Sequence, residues 1–442
     1  MIDEPEQIPP VRPGMIGRLR SLAVDVTPLR ESRQFRLLFI GEAVSDLGSE
    51  ITAVAVPYQV FKITGSPLAV GLLALCQLGP IMVLPLVGGA IADAVERRRL
   101  LRLVYAILPL LTLVLAWNAH LAVPHLWVLY VFATLSAAGY GLYSPAARSI
   151  PPLLFQKEKL PSALALTSTY YSAVALAGPA AAGLLIAWIK LPATYLVDVA
   201  SFLVALVTLT MMRPVPVVRE GSEVNLGSIV QGLRFLKGKP VLQSTFTVDL
   251  NAMIFGMPQS LFPAFAAHLG QGPEVLGLFY AAPSAGSLAV SLLSGRARHI
   301  GRQGLAVMVA VVIWGAAIAG FGLSTTVWAA LACLAVAGGA DQWSAIFRST
   351  IAQSMTPDEM RGRMSGIELA VVATGPTLGD LEAGVVGSLV SVPFSIVSGG
   401  LACIAGVFVL RGLVPQFGRY DTRKPWNEGT GVPEPGKEQE RT

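Results

Sequence analysis

The sequence predicts an all-α membrane protein with twelve transmembrane helices in two six-helix halves and with both termini in the cytoplasm. Three observations lead to this prediction: twelve long apolar runs, a one-sided distribution of basic residues, and a weak repeat between the two parts of the chain. Hydrophobic residues make up 53% of the 442 residues and charged residues only 13%. This composition is typical of a chain that lies mostly in lipid.

The apolar runs are each about as long as the ~20 residues that a helix needs to cross the hydrocarbon core. We number the predicted spans 1 to 12 in chain order, and they cover residues 34–61, 68–92, 100–119, 126–149, 161–189, 193–212, 241–268, 275–295, 304–323, 327–347, 364–390 and 392–410.

The basic residues orient these spans. Thirty of the 32 Lys and Arg residues fall on one side of the predicted membrane, and only Lys62 and Lys190 lie opposite. The positive-inside rule places the thirty charges and both termini in the cytoplasm. The net charge of +5 is then explained by anionic lipid headgroups, so we expect membrane lipids and no nucleic acid as partners.

The spans divide the chain into an N-terminal cytoplasmic segment (1–33), a first bundle (34–212), a linker (213–240), a second bundle (241–411) and a disordered cytoplasmic tail (412–442). The start is polar and precedes the first span without an apolar run, so we expect no cleavable signal peptide. The linker has the spacing of an amphipathic helix on the inner face of the membrane, with apolar positions at Leu226, Ile229, Val230, Leu233 and Leu236.

Three pairs of segments in the two halves match at a spacing of about 200 residues. The segment GLLALCQLGP from Gly71 parallels GLFYAAPSAG from Gly277, and Arg148 parallels Arg348. AGPAAAG at 177–183 parallels TGPTLGD at 374–380. Matches in the same order predict a pseudo-twofold axis along the membrane normal and a central cavity.

Three acidic residues, Glu42, Asp46 and Glu50, follow one another at intervals of four in span 1. A helix places them on one face, and carboxylates in lipid are costly unless they face a wet cavity or partners. Their mutual repulsion favours a shared proton, so we predict a site that couples transport to protons or cations. The alternative is that this face merely lines the cavity and only Asp46 lies deep.

Further acids lie within spans. Asp380 and Asp198 are additional candidates for coupling, and Asp249 and Asp341 are weaker ones. We expect no Lys or Arg at mid-depth to neutralise them, which suits protons and cations better than anions. Aromatic residues could stack on a flat or amphipathic substrate, namely Tyr140, Tyr143, Tyr170, Tyr171, Phe255, Tyr280 and Trp343.

Metal, cofactor and enzyme chemistry are not indicated. The three cysteines all fall within spans, and the four histidines lack metal-ligand spacing. No nucleophile stands with a base in a pattern that would support catalysis. We therefore expect no cofactor and no enzymatic activity.

The segment GGAIADAVERRRLL, beginning at Gly88, resembles the inner-loop signature of the major facilitator superfamily, and matching places are occupied by Gly89, Ile91, Ala92, Asp93, Arg97 and Arg98. Ala94 and Glu96 stand where that signature usually has Arg and Gly. The resemblance implies the major facilitator fold and a cytoplasmic gate made by Gly89, Asp93, Arg97 and Arg98. A carboxylate there can accept N–H groups at a helix start in the other half; the alternative is an ordinary loop turn.

Other segments resemble the bacterial enterobactin-exporter branch of that superfamily, which also includes macrolide and multidrug exporters. They are LRFLKGKP at 233–240, LFPAF at 261–265 and the stretch at 277–299. Gly178, Pro179 and Gly183 are similar to the antiporter motif of efflux members, although Ala182 replaces a usual Gly. Gly375 and Pro376 would supply a symmetric kink; the alternative is a bare proline kink at each place.

The resemblance and the acidic face together imply a secondary active transporter of the inner or plasma membrane. We expect a monomeric, proton-driven exporter of a small amphipathic molecule, a drug or a siderophore, that works by alternating access. An importer or facilitator of a small metabolite and a non-transporting membrane sensor remain the alternatives.

Single cysteines test the topology, since the charge distribution alone sets it. In a background without the native cysteines, Ala122→Cys or Thr325→Cys should react with a membrane-impermeant thiol reagent in intact cells. Gly221→Cys or Gly436→Cys should react only after permeabilisation. The reverse labelling pattern would overturn the orientation.

Overall fold

A computed structural model describes residues 25–214, 231–232, 234–294 and 300–422, with the backbone alone described for 86, 90, 92 and 93. Every regular element in these ranges is helical. We label the helices of seventeen residues or more α1 to α11 in chain order and give the shorter ones by their bounds.

The first part of the chain begins with a short helix, Thr27–Glu31, and a second short helix, Pro151–Leu154, follows α4. The long helices are α1 (Arg33–Thr64), α2 (Pro67–Ala94), α3 (Arg97–His120), α4 (Leu126–Arg148) and α5 (Leu160–Met211). Local chemistry sets the first boundaries. Ser32 and Ser66 cap the starts of α1 and α2 through their side chains. Gly65, with φ of 62°, ends α1 in the left-handed conformation that glycine adopts readily.

The second part of the chain contains α6 (Pro240–Gly256), a 3-10 turn (Gln259–Leu261), a short helix (Phe262–His268), α7 (Pro273–Leu293), α8 (Gln303–Leu323), α9 (Val327–Met355), α10 (Asp358–Leu389), α11 (Val392–Leu413) and a final short helix (Pro415–Arg419).

Within the described residues, nine helices are long and apolar enough to cross a membrane. The helix α1, which carries the three acidic residues, and α6, with 17 residues, fall outside this group. The predicted spans 5 and 6 are two helices that meet at Lys190, and we keep the one label α5 for the pair. Only Lys190, with φ of 64° and ψ of 167°, interrupts its helical backbone.

The predicted span at 241–268 is broken. The helix α6 ends at Gly256, and a 3-10 turn precedes the helix Phe262–His268. Pro258 lies in the break, where its missing N–H cannot continue the helical hydrogen bonds. The Trp314 indole of α8 occupies the space that a side chain at Gly256 would need, so the close packing of α8 requires glycine there.

The helices form two sets that meet along a seam. In the first set α1 and α3 pack along α5, and α2 packs along α4. In the second set α7 and α8 pack along α9, and α8 packs along α11. Between the sets, α2 packs on α10 and α5 packs on α7.

The seam contacts involve positions that the sequence repeat pairs. A Cβ on Gly71 of α2 would lie 2.8 Å from the carbonyl oxygen of Asp380 in α10. In the other pair of helices, a Cβ on Gly277 of α7 would collide with Pro179 and Gly183 of α5. Because Gly71 parallels Gly277 and Gly183 parallels Asp380 in the repeat, the two contacts are equivalent.

The two ends of the molecule differ. We call the end that holds residues 33, 97 and 213 the terminal end and the opposite one the far end. At the far end, the Leu68 N–H of α2 donates to Ser388 Oγ of α10 at 2.9 Å. Towards the terminal end, a Cβ on Gly89 of α2 or Gly366 of α10 would meet no other atom within 4 Å. These helices therefore touch at the far end and leave open space around both glycines.

The chain remains packed for some residues beyond the last long helix. Phe417 and Tyr420 are buried, and the Tyr420 hydroxyl lies 2.8 Å from Ser354 Oγ. Burial raises the pKa of Tyr420. The Gln303 side chain donates to Thr422 Oγ1 and accepts from its N–H, at 2.7 and 2.9 Å. The tail predicted to be disordered from residue 412 is thus ordered as far as 422, the last residue described.

The predicted amphipathic helix of the linker falls largely outside the described residues, which exclude Leu226, Ile229, Val230 and Leu233. Leu236 is described, and it packs in an apolar cluster with Leu242, Met364 and Ile367. The end of the linker is therefore held against α10.

Gly277→Ala tests the seam. A new methyl group would collide with the α5 backbone, so we expect about 1–3 kcal/mol of destabilisation, measured as a lower melting temperature in detergent. The matched control is Gly366→Ala, because a methyl group at this position would enter open space. This variant should be more stable by about 0.5–1 kcal/mol, since alanine lowers the backbone entropy of the unfolded chain. Equal shifts in both variants would contradict the seam packing.

Candidate functional site

The acidic face of α1 lies against α5. Glu42, Asp46 and Glu50 are all partly buried. The Tyr170 hydroxyl of α5 donates to Asp46 Oδ2 at 3.2 Å. The Tyr170 ring packs edge-on against Phe39 at 5.0 Å between centroids. The central carboxylate therefore has a neutral hydrogen-bond donor, which stabilises its charge and fixes its position.

Glu50 connects the acidic face to the predicted kink. A Cβ on Gly178 would lie 2.5 Å from the Cβ of Glu50, so a glycine at 178 is required for this approach. The next residue is Pro179, inside α5, and Gly183 follows in the seam with α7. The structure thus brings together two features that the sequence suggested separately.

Arg148 at the end of α4 lies beside the same face. Its guanidinium donates to the Tyr140 hydroxyl at 3.4 Å and lies near enough to interact electrostatically with Glu42 and Asp46. From the sequence we counted Arg148 among the basic residues of the cytoplasmic side, at the end of span 4, and gave it no role in the site. Its repeat partner Arg348 has a similar position in the second set of helices, and the repeat was the signal that could have identified both.

Asp198 lies away from the acidic face. Its carboxylate accepts hydrogen bonds from Thr52 at 2.6 Å and from Ser201 at 3.2 Å. It also lies 2.5 Å from where a Cβ on Gly48 would be, and the whole residue is buried. The structure therefore places Asp198 between α1 and α5, on a different face of α1 from Glu42, Asp46 and Glu50.

Asp380 lies at the seam beside the broken helix. Its carboxylate accepts the Ser260 N–H at 2.6 Å, and its carbonyl oxygen accepts from Ser260 Oγ at 2.8 Å. The Tyr280 hydroxyl of α7 donates to the Gln259 carbonyl at 3.0 Å. Asp380 therefore satisfies polar groups that the break in the chain exposes.

Asp249 corrects the expectation that no cation neutralises the acids within the spans. Arg348 of α9 forms an ion pair with Asp249 of α6 at 2.8 Å, and both side chains are largely buried. Ser344 Oγ accepts from the same guanidinium at 2.9 Å, and Asp341 lies 3.9 Å away. The expectation was wrong because α9 continues to Met355, beyond the predicted end at 347, and includes Arg348.

The predicted gate residues are only partly described. Gly89 has open space around it, and the side chain of Asp93 lies outside the described residues. Arg97 is buried. Arg98 donates to the Leu209 and Thr210 carbonyl oxygens, each at 2.9 Å, and so caps the C-terminal end of α5 within its own half.

The second predicted kink has its own packing role. Gly375 and Pro376 lie inside α10. A Cβ on Gly375 would lie 2.6 Å from the Met253 sulfur of α6. Gly375 parallels Gly178 in the repeat, so the two glycines admit the neighbouring helix at equivalent places, Glu50 in one half and Met253 in the other.

Two packed helical sets, a seam at one end and a face of carboxylates within the helices define a polytopic membrane transporter. The family described as transmembrane secretion effectors, within the major facilitator superfamily, matches residues 23–431. The chain belongs to this family.

Two curated relatives agree with that assignment. The chain is 28% identical to the enterobactin exporter EntS of Shigella boydii serotype 18 over 396 residues, which are 89% of this chain and 95% of that protein. It is 27% identical to EntS of Escherichia coli O139:H28 with the same coverage.

Among solved structures, the fold matches a point mutant of the nucleoside transporter NupG with a TM-score of 0.71 at 12% identity, over 86% of this chain and 99% of that one. It matches a bacterial homologue of the iron transporter ferroportin with a TM-score of 0.64 at 17% identity, over 87% and 98%.

A double-mutant cycle tests the buried ion pair. Asp249→Asn and Arg348→Gln should each destabilise the protein by about 3–5 kcal/mol, because each leaves an unpaired buried charge. The double variant should lose less than the sum of the two. Melting temperatures in detergent provide the measurement. Asp358→Asn, in the exposed pair with Arg361, is the control and should change little. Additive losses would show that the two side chains do not interact.

Proposed function

We propose that this protein is a secondary exporter of the cell membrane that uses proton entry to expel a small amphipathic molecule by alternating access. The observation that supports it best is the contact between Glu50 and Gly178. It connects a face of three carboxylates to the helix that forms the seam between the two sets.

The contact suggests how a proton and the seam communicate. An ionised Glu50 beside the α5 backbone has little water around it, and protonation removes that cost. The protonation state therefore biases how closely α1 and α5 pack. Because Pro179 and Gly183 of α5 meet Gly277 of α7, a change in that packing would alter the seam.

In the proposed topology the chain crosses the membrane twelve times and both termini are cytoplasmic. The helix α5 supplies two crossings on either side of Lys190, and α6 with Phe262–His268 supplies one. The remaining nine come from α1 to α4 and α7 to α11. Under this orientation the terminal end is cytoplasmic, and the open space around Gly89 and Gly366 faces the cytoplasm. The two bundles are residues 34–212 and 241–411, joined by the linker.

In this orientation the cycle proceeds as follows. With the terminal end open, the α1 acids release a proton to the cytoplasm and the substrate binds. The molecule then opens at the far end, where the substrate leaves and the acids take up a proton. We propose that Asp46, Glu50 and Glu42 bind the coupling proton, with Asp380 and Asp198 as secondary candidates.

The gate and kink residues complete the proposal. Gly89, Asp93, Arg97 and Arg98 would close the cytoplasmic side when the far end opens, and Gly178, Pro179, Gly183, Gly375 and Pro376 would shape the helices that move. The relatives are named as exporters of enterobactin, a name that favours a drug or a siderophore as the exported molecule.

Transport in proteoliposomes tests the proposal. With an imposed pH gradient, Asp46→Asn should abolish uphill efflux and leave part of the downhill exchange, because the amide mimics a permanently protonated carboxyl. Glu50→Gln should alter the pH dependence of efflux by relieving repulsion. Asp93→Asn should strongly slow both modes, because closure of the gate loses a charge-assisted contact. Asp358→Asn, exposed on α10, is the control for reconstitution.

The outcomes separate the alternatives. Full gradient-driven efflux by the Asp46→Asn, Glu50→Gln double variant would sink the coupling assignment and direct attention to Asp380 and Asp198. If the wild-type protein carries the substrate towards its cytoplasmic face instead of away from it, the protein is an importer or facilitator. No transport in either direction would favour a membrane sensor.

A further inference from the structure

Three side chains from different helices lie at a similar depth next to the acidic face. Counted at about 1.5 Å per residue from the terminal ends of their helices, Glu42 lies about 14 Å along α1, Tyr140 about 12 Å along α4 and Tyr171 about 17 Å along α5. We call this group, with Tyr143 and Tyr170, the tyrosine pocket.

The tyrosine pocket presents two exposed rings on two buried ones. Tyr140 and Tyr171 are 48% and 43% exposed, whereas Tyr143 and Tyr170 are 9% and 7% exposed. Tyr140 packs edge-on against Tyr143 at 5.6 Å, and Tyr171 packs against Tyr170 at 4.4 Å with 31° between the planes. Each exposed ring is therefore held in place by a buried neighbour and leaves surface free for a ligand.

The exposed rings lie near charged groups. The Tyr140 hydroxyl accepts from Arg148 at 3.4 Å, and the Tyr171 hydroxyl interacts electrostatically with Glu42 and with Tyr140. The pocket therefore combines aromatic faces with carboxylates in one place.

The charge balance of the pocket is negative. Glu42 and Asp46 lie beside the tyrosines, and Arg148 is the cation near both carboxylates. When both are ionised, the carboxylates outnumber the guanidinium. A buried anionic ligand would be repelled there, whereas a cation would regain the electrostatic stabilisation that it loses with its water.

From this arrangement we infer that the tyrosine pocket is the substrate site of the proposed exporter and that it takes a flat aromatic cation. This inference rests on the proposed function, and it names the substrate class. The ring of the ligand stacks on Tyr140 and Tyr171, and its cationic group lies towards Glu42 and Asp46. Arg148 is the protein's own cation beside these two carboxylates.

Binding of ethidium to the purified protein in detergent tests this inference, with fluorescence anisotropy as the readout. Two probes of matched character separate ring from charge: pyrenesulfonate is a flat aromatic anion, and tetrapropylammonium is a cation without rings. Ethidium should bind at least about tenfold more tightly than either.

The variants locate the site. Tyr171→Ala, Tyr140→Ala and Glu42→Gln should each weaken ethidium binding about tenfold, whereas Tyr140→Phe should retain it because the ring persists. Arg148→Gln should strengthen it, since the competing cation is gone. The controls are Phe408→Ala, an exposed ring of α11, and Glu368→Gln, an exposed carboxylate of α10; neither should matter. Melting temperatures establish that each variant is folded.

Pyrenesulfonate binding equal to or tighter than ethidium binding would overturn the inference, as would wild-type affinity in Tyr171→Ala and Glu42→Gln. Absence of binding by every probe would overturn it too. The proposed function fails separately, by the loss of gradient-driven efflux in proteoliposomes. An exporter that transports pyrenesulfonate and ignores ethidium would keep its function and lose this substrate class.

Discussion

The cost of holding carboxylates inside a membrane governs this structure. A charged side chain at depth needs water, a counter-charge or hydrogen-bond donors, and the acids in the described helices meet that need differently. Asp46 has the Tyr170 hydroxyl, Asp249 has the Arg348 guanidinium, and Asp198 has Thr52 and Ser201. Each of these hydrogen bonds and ion pairs joins two helices or fixes the position of one residue. The acids therefore also determine which helices pack together.

The second constraint is that some helices must approach closely, which requires positions that carry no bulky side chain. The seam depends on Gly71, Gly183 and Gly277, because backbones can approach closely only where no Cβ intervenes. The same principle brings Glu50 onto Gly178. The carboxylates and the glycines are therefore parts of one arrangement, in which the helix that carries charge touches the helix that forms the seam.

The sequence was most informative where a physical rule acts on long segments. Hydropathy identified the nine long apolar helices found among the described residues, and the repeat paired Gly71 with Gly277 before their equivalent contacts were visible. It was less informative for helix ends, since nothing in the run at 327–347 shows that α9 continues past Arg348. It also missed the break after Gly256, because Pro258 is compatible with either a kink or a break. The partners of Asp198 and Asp380 depend on contacts between distant residues that spacing does not reveal.

The broken helix has a consequence for how the protein is made. A segment emerging from the ribosome with a backbone break near Pro258 exposes peptide groups that lipid cannot satisfy. The groups that satisfy them belong to residues made later, Tyr280 in α7 and Asp380 in α10. Asp380 follows Ser260 by 120 residues, so this segment waits through most of the synthesis of the second half for its partners. This segment can therefore reach its final hydrogen bonding only after α10 has been made.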